Sequence, residues 1–235
     1  MFNKKNIIKH AAPNDDLRII SSKSTIPDWY KDIKKFGSSN NQKDIKSFPA
    51  KISLKACVPF FEAMSSGHMI PLSQDIAIEQ TDGGPSITYN IPFQNSTPPI
   101  SIRDSHVNVN LPTPTGYSSL HFAWLTTVVY KIPKGYSALI THPLNRTDLP
   151  FFTLSGIIDG EYVVPLGNIP VFISSTFEGI IPAGTPIAQI LLFKTEDWSS
   201  EEDKSIIEES LTNSKRSVST LGWYRNHIWK KKFYN

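Results

Sequence analysis

The densest group of chemistry-bearing side chains is the run Thr141-His142-Pro143-Leu144-Asn145-Arg146. An imidazole, an amide and a guanidinium this close together can surround an anion, because each presents N–H donors and two can carry positive charge. The same groups can instead bond to their own backbone and tie a loop shut, and that structural role is the expectation here. The other histidines, His10, His68, His106, His121 and His227, are scattered. No H-x-H, H-x-D or H-E-x-x-H spacing pairs them, so no metal site is expected. His121 lies in an alternating stretch and reads as packed or surface. Cys57 stands beside Val58, Phe60 and Phe61 and reads as a buried, inert thiol rather than a nucleophile working with His68. Asp159-Gly160 is, on its own, a short hairpin signal. There is no Walker or Rossmann glycine pattern, and Gly83-Gly84-Pro85 is a turn.

Many short strands must position these residues. From Met69 to Phe193 the chain reads as strands and turns, apart from polar punctuation. The candidate strands are 69–79, 86–91, 107–111, 118–124, 128–132, 138–141, 151–158, 162–166, 171–173 and 187–193. Pro114-Thr115-Gly116-Tyr117, Pro133-Lys134-Gly135-Tyr136 and Pro182-Ala183-Gly184-Thr185 share a turn pattern. Proline is expected at the first central position and glycine supplies positive φ. Ahead of this body lies a polar lead-in with an early strand near Leu17 to Ile20. A helix is expected to be capped by Thr25, with Pro27 in its first turn and Ile26, Trp29, Ile33 and Phe36 on one face. Residues 37–44 read as a polar loop and Lys51 to Leu54 as a strand. Pro59 to Met64 reads as a short helix stopped by Gly67.

The C-terminal part changes character. Glu196, Asp197, Glu201, Glu202, Asp203, Glu208 and Glu209 face Lys204 alone, whereas no acid follows Ser214. Trp198 to Leu211 predicts a helix capped by Ser199 or Ser200, with Ile206, Ile207 and Leu211 as its apolar stripe. Leu221, Trp223, Tyr224, Ile228, Trp229, Phe233 and Tyr234 then form an aromatic terminus expected to pack on the body or on another subunit. Tyr224, Arg225, Trp229, Lys230, Lys231 and Lys232 could also stack on nucleic acid, but an assembly tail is the preferred reading. Three segments follow: a lead-in and clamp helix over 1–50, a β body over 51–195, and an acidic helix with a basic aromatic tail over 196–235.

Composition bounds the classes. A chain of 235 residues, 39% hydrophobic and 11% aromatic, can bury a real core. A single cysteine excludes an internal disulfide framework and fits a reducing compartment. The basic start lacks an apolar stretch, so no signal peptide is expected, and no run is long enough to cross a membrane. A net charge of +3 is too small to imply a nucleic-acid partner.

Pro133-Lys134-Gly135, the strand Ala138 to Thr141, Gly156-Ile157-Ile158-Asp159 with Tyr162, and Gly184 with Ile187-Ala188-Gln189 occur in an order and spacing that resembles the dUTPase and dCTP-deaminase superfamily. The resemblance implies a mainly β fold with a β-clip-like, dUTPase-like core, here carrying short N-terminal helices and a helical C-terminal extension. It also implies that Asp159 contacts a sugar and orients a water, and that Tyr162 stacks under a deoxyribose. The chain departs from the pattern at Thr141 to Arg146, where the superfamily has an R-S-G segment. There Pro143 removes a backbone donor from any phosphate cradle. A metal-binding carboxylate motif and a glycine-rich closing tail are missing too.

A second resemblance spans residues 17–198, carried by Thr25-Ile26-Pro27-Asp28-Trp29-Tyr30, by Lys55 to Gly67, and by Gly135-Tyr136-Ser137 through Arg146 and on to Gln189. It is to an uncharacterised family of tailed bacteriophages. It implies a viral source and, since phages also use the β-clip in non-enzymatic head-decoration proteins, no activity by analogy alone.

The leading expectation is a non-enzymatic structural or assembly protein, oligomeric, in a virion or the host cytoplasm, contacting itself or other virion proteins and using no cofactor. The alternative is a nucleotide-binding or diverged dUTPase-like enzyme acting on deoxynucleotides. Asp159, Tyr162, Arg146 and Gln189 would then line the pocket, with His142 and Asn145 beside them and Mg2+ required. A third reading has the same pocket sequester a small ligand during host takeover.

Overall fold

A computed structural model of the chain describes residues 7–12, 18–35, 53–90, 97–103, 110–160, 163–164, 167–220 and 222–231. Two compact units emerge, residues 1–26 with 63–195, and residues 27–62 with 196–233.

The first unit holds all the described strands. In chain order they are β1 (Lys9–Ala11), β2 (Ile20–Ser21), β3 (His68–Pro71), β4 (Ile76–Thr81), β5 (Gly84–Thr88), β6 (Ile100–Ile102), β7 (Phe122–Leu125), β8 (Val129–Lys131), β9 (Tyr136–Thr141), β10 (Phe151–Thr153), β11 (Gly156–Asp159), β12 (Val163–Val164), β13 (Asn168–Ile173), β14 (Gly179–Ile181) and β15 (Pro186–Lys194). The protein is mainly β, as the sequence predicts. The sheets run β11-β9-β15-β3-β2, β10-β13-β7-β6, β14-β4-β5 and β1-β8-β12, and every pairing is antiparallel. Their inner faces share one core in which Trp124, Phe151, Ile132 and Ile173 are fully buried. Each such side chain contributes about 1.5–3 kcal/mol through burial. β15 lies between β9 and β3, and its first five residues are buried.

Two expected strands divide. The run 151–158 supplies β10 to one sheet and β11 to another. The run 69–79 breaks after Pro71, which has no N–H for the ladder. Leu72 then bonds across to the Thr185 carbonyl at 2.8 Å, and the chain restarts as β4 in a different sheet. Strands β6 and β14 escaped the sequence reading because each is three residues long, too short for alternation to register. The strand expected at 118–124 is confined to β7, because Ser118 and Leu120 are spent on a turn in which the Ser118 hydroxyl accepts the Leu120 N–H at 3.1 Å. The expectation at 107–111 falls mostly outside the described residues.

The three proline–glycine turns have positive φ at Gly116 (86°), Gly135 (77°) and Gly184 (82°), as type II chemistry requires. Proline is not at the first central position, however. Tyr117, Tyr136 and Thr185 donate their N–H groups to the carbonyls of Pro114, Pro133 and Pro182, so each proline opens its turn. Gly67 has φ +70°, and a Cβ there would lie 2.1 Å from the Ile190 carbonyl oxygen. Only glycine lets the end of the preceding helix approach β15 this closely.

In the second unit, α1 spans Asp28–Asp32 and a 3-10 turn spans Leu54–Ala56. The Tyr30 ring is buried, stacks with Phe60 and Phe61, and receives the Lys55 ammonium over its face at 4.6 Å. Thr25 does not cap α1; it ends a 3-10 turn over Ser22–Thr25, in which its hydroxyl bonds the Ser22 carbonyl. Lys51 to Leu54 is not a strand where described, Leu54 opening the 3-10 turn. Helix α2 runs Val58–Ser65, as expected. Cys57 is exposed rather than buried, since it closes the 3-10 turn with its N–H bonded to the Leu54 carbonyl.

Helix α3 spans Ile206–Ser219 and α4 spans Trp223–His227. The start of α3 lies well beyond Trp198, Ser199 and Ser200. The Asp203 carboxylate accepts both the N–H and the hydroxyl of Ser205, forming a local turn that sets the helix start there. Trp198 is left 85% exposed. Among the described residues, no helix is long and apolar enough to cross a membrane.

Candidate functional site

The polar run singled out from sequence forms the loop between β9 and β10. Arg146 donates its N–H to the Pro143 carbonyl at 3.1 Å, and Asn145 takes a left-handed φ of 61° at the third position. This turn therefore repeats the proline–glycine pattern with asparagine in the glycine's place, the residue that best tolerates that conformation after glycine.

Each flanking side chain is engaged within the fold. Arg146 makes a two-pronged pair with Asp148, Nε to Oδ1 and Nη2 to Oδ2, both at 2.8 Å, and its Nη1 reaches the Thr25 carbonyl. His142 Nδ1 accepts the Thr153 N–H at 3.3 Å, while Nε2 lies 3.0 Å from the Arg146 carbonyl. An accepting Nδ1 and a donating Nε2–H fix a neutral ring in one tautomer. Burial holds His142 below the ordinary histidine range, against the Arg146 carbonyl, which favours the protonated ring.

Gln189 is fully buried. Its Oε1 accepts the Leu144 N–H at 2.8 Å, and its Nε2 donates to the carbonyls of Ala63 at 2.9 Å and Ser66 at 2.6 Å. It joins the loop to the C-terminal end of α2, and both amide protons are used.

Asp159 stands elsewhere. It is the last residue of β11, opposite Ser137, whereas Gly156 is opposite Ile140 and His142 follows the far end of β9. Five residues of strand separate Ser137 from His142, roughly 16 Å. Asp159 is exposed and accepts the Ser137 hydroxyl at 2.6 Å, which also lies 2.7 Å from the Thr195 hydroxyl. His142, Asn145, Arg146 and Gln189 are thus together at one end of β9, and Asp159 is at the other. Tyr162 lies outside the described residues.

The sequence reading missed the hydroxyls that brace the loop from below. Thr153 is fully buried, donates to the Ile187 carbonyl at 2.6 Å and accepts the Trp124 indole N–H at 3.1 Å. Thr141 and Ser155 hydroxyls meet at 2.7 Å. The alternation Phe151 in, Phe152 out, Thr153 in was the available signal. Among the described residues, no group of three or more His, Cys, Asp or Glu could hold a metal ion.

No family model matches this chain, and no curated protein matches it. Among solved structures it is similar to a mutant dUTPase from phage phi11 of S. aureus, at 12% identity and a TM-score of 0.36 over 85% of this chain and 97% of that one. It is also similar to the native dUTPase of EIAV, at 17% identity and a TM-score of 0.30 over 60% and 85%. At these scores the likeness concerns general architecture and is silent on activity.

Proposed function

We propose that this chain is a non-enzymatic structural or assembly protein of a tailed phage, built on a dUTPase-like β body and working as an oligomer. One observation supports the reading most. The groups that would have to meet a phosphate or a base at the β9–β10 loop are already spent: both Arg146 prongs on Asp148, both His142 nitrogens on backbone, and the whole Gln189 amide on three backbone groups. Binding a nucleotide there would first break these bonds, of which those of His142 and Gln189 are partly buried and cost up to about 1–3 kcal/mol each if left unmade.

Two measurements test this. Mass spectrometry of purified phage particles should find the chain at a stoichiometric copy number. Thermal unfolding with each deoxynucleotide, with and without Mg2+, should show no rise in Tm; a ligand at a hundred times its Kd adds about 2.7 kcal/mol. A clear rise, or absence from particles, overturns the proposal.

The exposed carboxylate of Asp159, held by Ser137 at the end of β11, favours a second reading, in which the chain binds or hydrolyses a deoxynucleotide at that end of the hairpin. Asp159→Asn keeps an acceptor for the Ser137 hydroxyl but cannot take a proton from water. Under the second reading it abolishes turnover at unchanged stability; under the first it changes neither stability nor assembly.

A further inference from the structure

In helix α3, Ile207, Leu211, Ser214 and Val218 recur at intervals of four, three and four, the spacing of a coiled-coil seam. They form a single stripe along the helix. Helix α4 lies against the adjoining face, where Ile206, Ser210, Asn213 and Ser217 line a cleft with Trp223 and Tyr224, and Ser214 of the stripe stands on the edge they share. Ile207, Leu211 and Val218 stay outside that cleft, 55%, 58% and 68% exposed. Hydrophobic side chains aligned at seam spacing on an open helix face mark a contact surface.

We propose that this face of α3 docks on the same face of a second copy of the chain, with the two helices antiparallel. Charge selects both partner and direction. Glu208 and Lys215 are one heptad apart on the same flank of the seam. Turned end for end about the midpoint of the stripe, one copy sets Ile207 beside Val218 of the other, and Leu211 beside Ser214. Glu208 of each copy then faces Lys215 of the other, giving two symmetric ion pairs. The antiparallel arrangement also suits the helix dipoles, each helix start lying beside the other copy's helix end. A parallel pair would put Glu208 and Lys215 of the two copies on opposite sides of the seam and so lose both ion pairs. The inference rests on the helix alone and holds whether the β body serves assembly or binds nucleotide.

Sedimentation velocity on the full chain, over a roughly hundredfold concentration range, tests it. The wild type should associate reversibly, and Leu211→Glu should abolish that component while circular dichroism shows unchanged folding. Glu208→Lys and Lys215→Glu should each weaken association about tenfold, since each removes two pairs and creates two like-charge contacts. The double reversal Glu208→Lys with Lys215→Glu should restore it, a rescue that requires the residues to meet between copies. A wild type that stays monomeric throughout, a Leu211→Glu variant that associates normally, or single reversals that change nothing would each overturn the proposal. Particle mass spectrometry negative for the chain, with α3-dependent association intact, would remove the assembly role but leave this surface standing.

Discussion

Replacing Gln189 separates a structural strut from a ligand contact. Leucine has nearly the same volume and opens little cavity. It leaves the Leu144 N–H and the Ala63 and Ser66 carbonyls without their shared partner. Three partly buried groups at about 1–2 kcal/mol each put the loss at no more than about 3–6 kcal/mol, a large share of a typical domain's stability. Glutamate is more diagnostic. Its carboxylate can still accept from Leu144, but it faces two carbonyl oxygens where the amide donated. The folded protein must therefore protonate it, raising its pKa above the unfolded value of about 4.3. For an acid shifted upward, stability is fully present below the unfolded pKa and falls as pH rises toward the folded pKa, by up to about 1.4 kcal/mol per pH unit. Urea unfolding from about pH 4 to pH 8 should show Gln189→Glu closest to wild type at the acid end and worst at the alkaline end, with Gln189→Leu offset by a constant amount. A leucine variant within about 0.5 kcal/mol of wild type, or a glutamate variant with no pH trend of its own, would refute the strut. If the amide instead reads a ligand, stability would hold and only ligand-induced protection would vanish.

His142 gives a trend in the opposite sense. Its folded pKa is lowered, so the neutral ring's contribution is complete above about pH 6.5 and declines as pH falls, by at most about 1.4 kcal/mol per unit. The stability gap between wild type and His142→Ala should narrow under acid, and a gap constant from about pH 8 to pH 5 would contradict the assigned tautomer. Gly67→Ala should cost about 1–2 kcal/mol for the left-handed backbone alone. It should cost more because its Cβ meets the Ile190 carbonyl oxygen. A variant with unchanged Tm would mean that α2 and β15 are not in register there.

The fold was legible where pattern and turn chemistry agree. The strand around Ile187 to Phe193 is apolar over a long run because β15 is central in its sheet, and the glycines of the three turns have the positive φ their spacing predicts. What could not be read was allegiance. Nothing in the continuous run from Phe151 to Ile158 says that its two halves pair with different sheets, because pairing is decided by distant partners. The start of α3 was misplaced because the residue before the helix is Ser205, held by Asp203, and propensity ranks it as no better a helix opener than Ser199 or Ser200. At the candidate site the residue types were readable but their partners were not. Asp148, the partner of Arg146, has no part in the sequence reading although it stands two residues away, and two of the three bonds of Gln189 go to the end of α2, more than a hundred residues away.

The joint between β10 and β11 has a mechanical consequence. Only Leu154 and Ser155 separate the two strands. The Leu154 N–H is held by the Pro170 carbonyl at 2.8 Å and the Ser155 hydroxyl by Thr141 at 2.7 Å, so the joint is riveted to both neighbouring sheets. Those sheets cannot slide past one another without shearing a rivet. A load applied at the Asp159 end of β11 therefore passes along the backbone, through Ser155 and Leu154, to the buried Phe151 and Thr153.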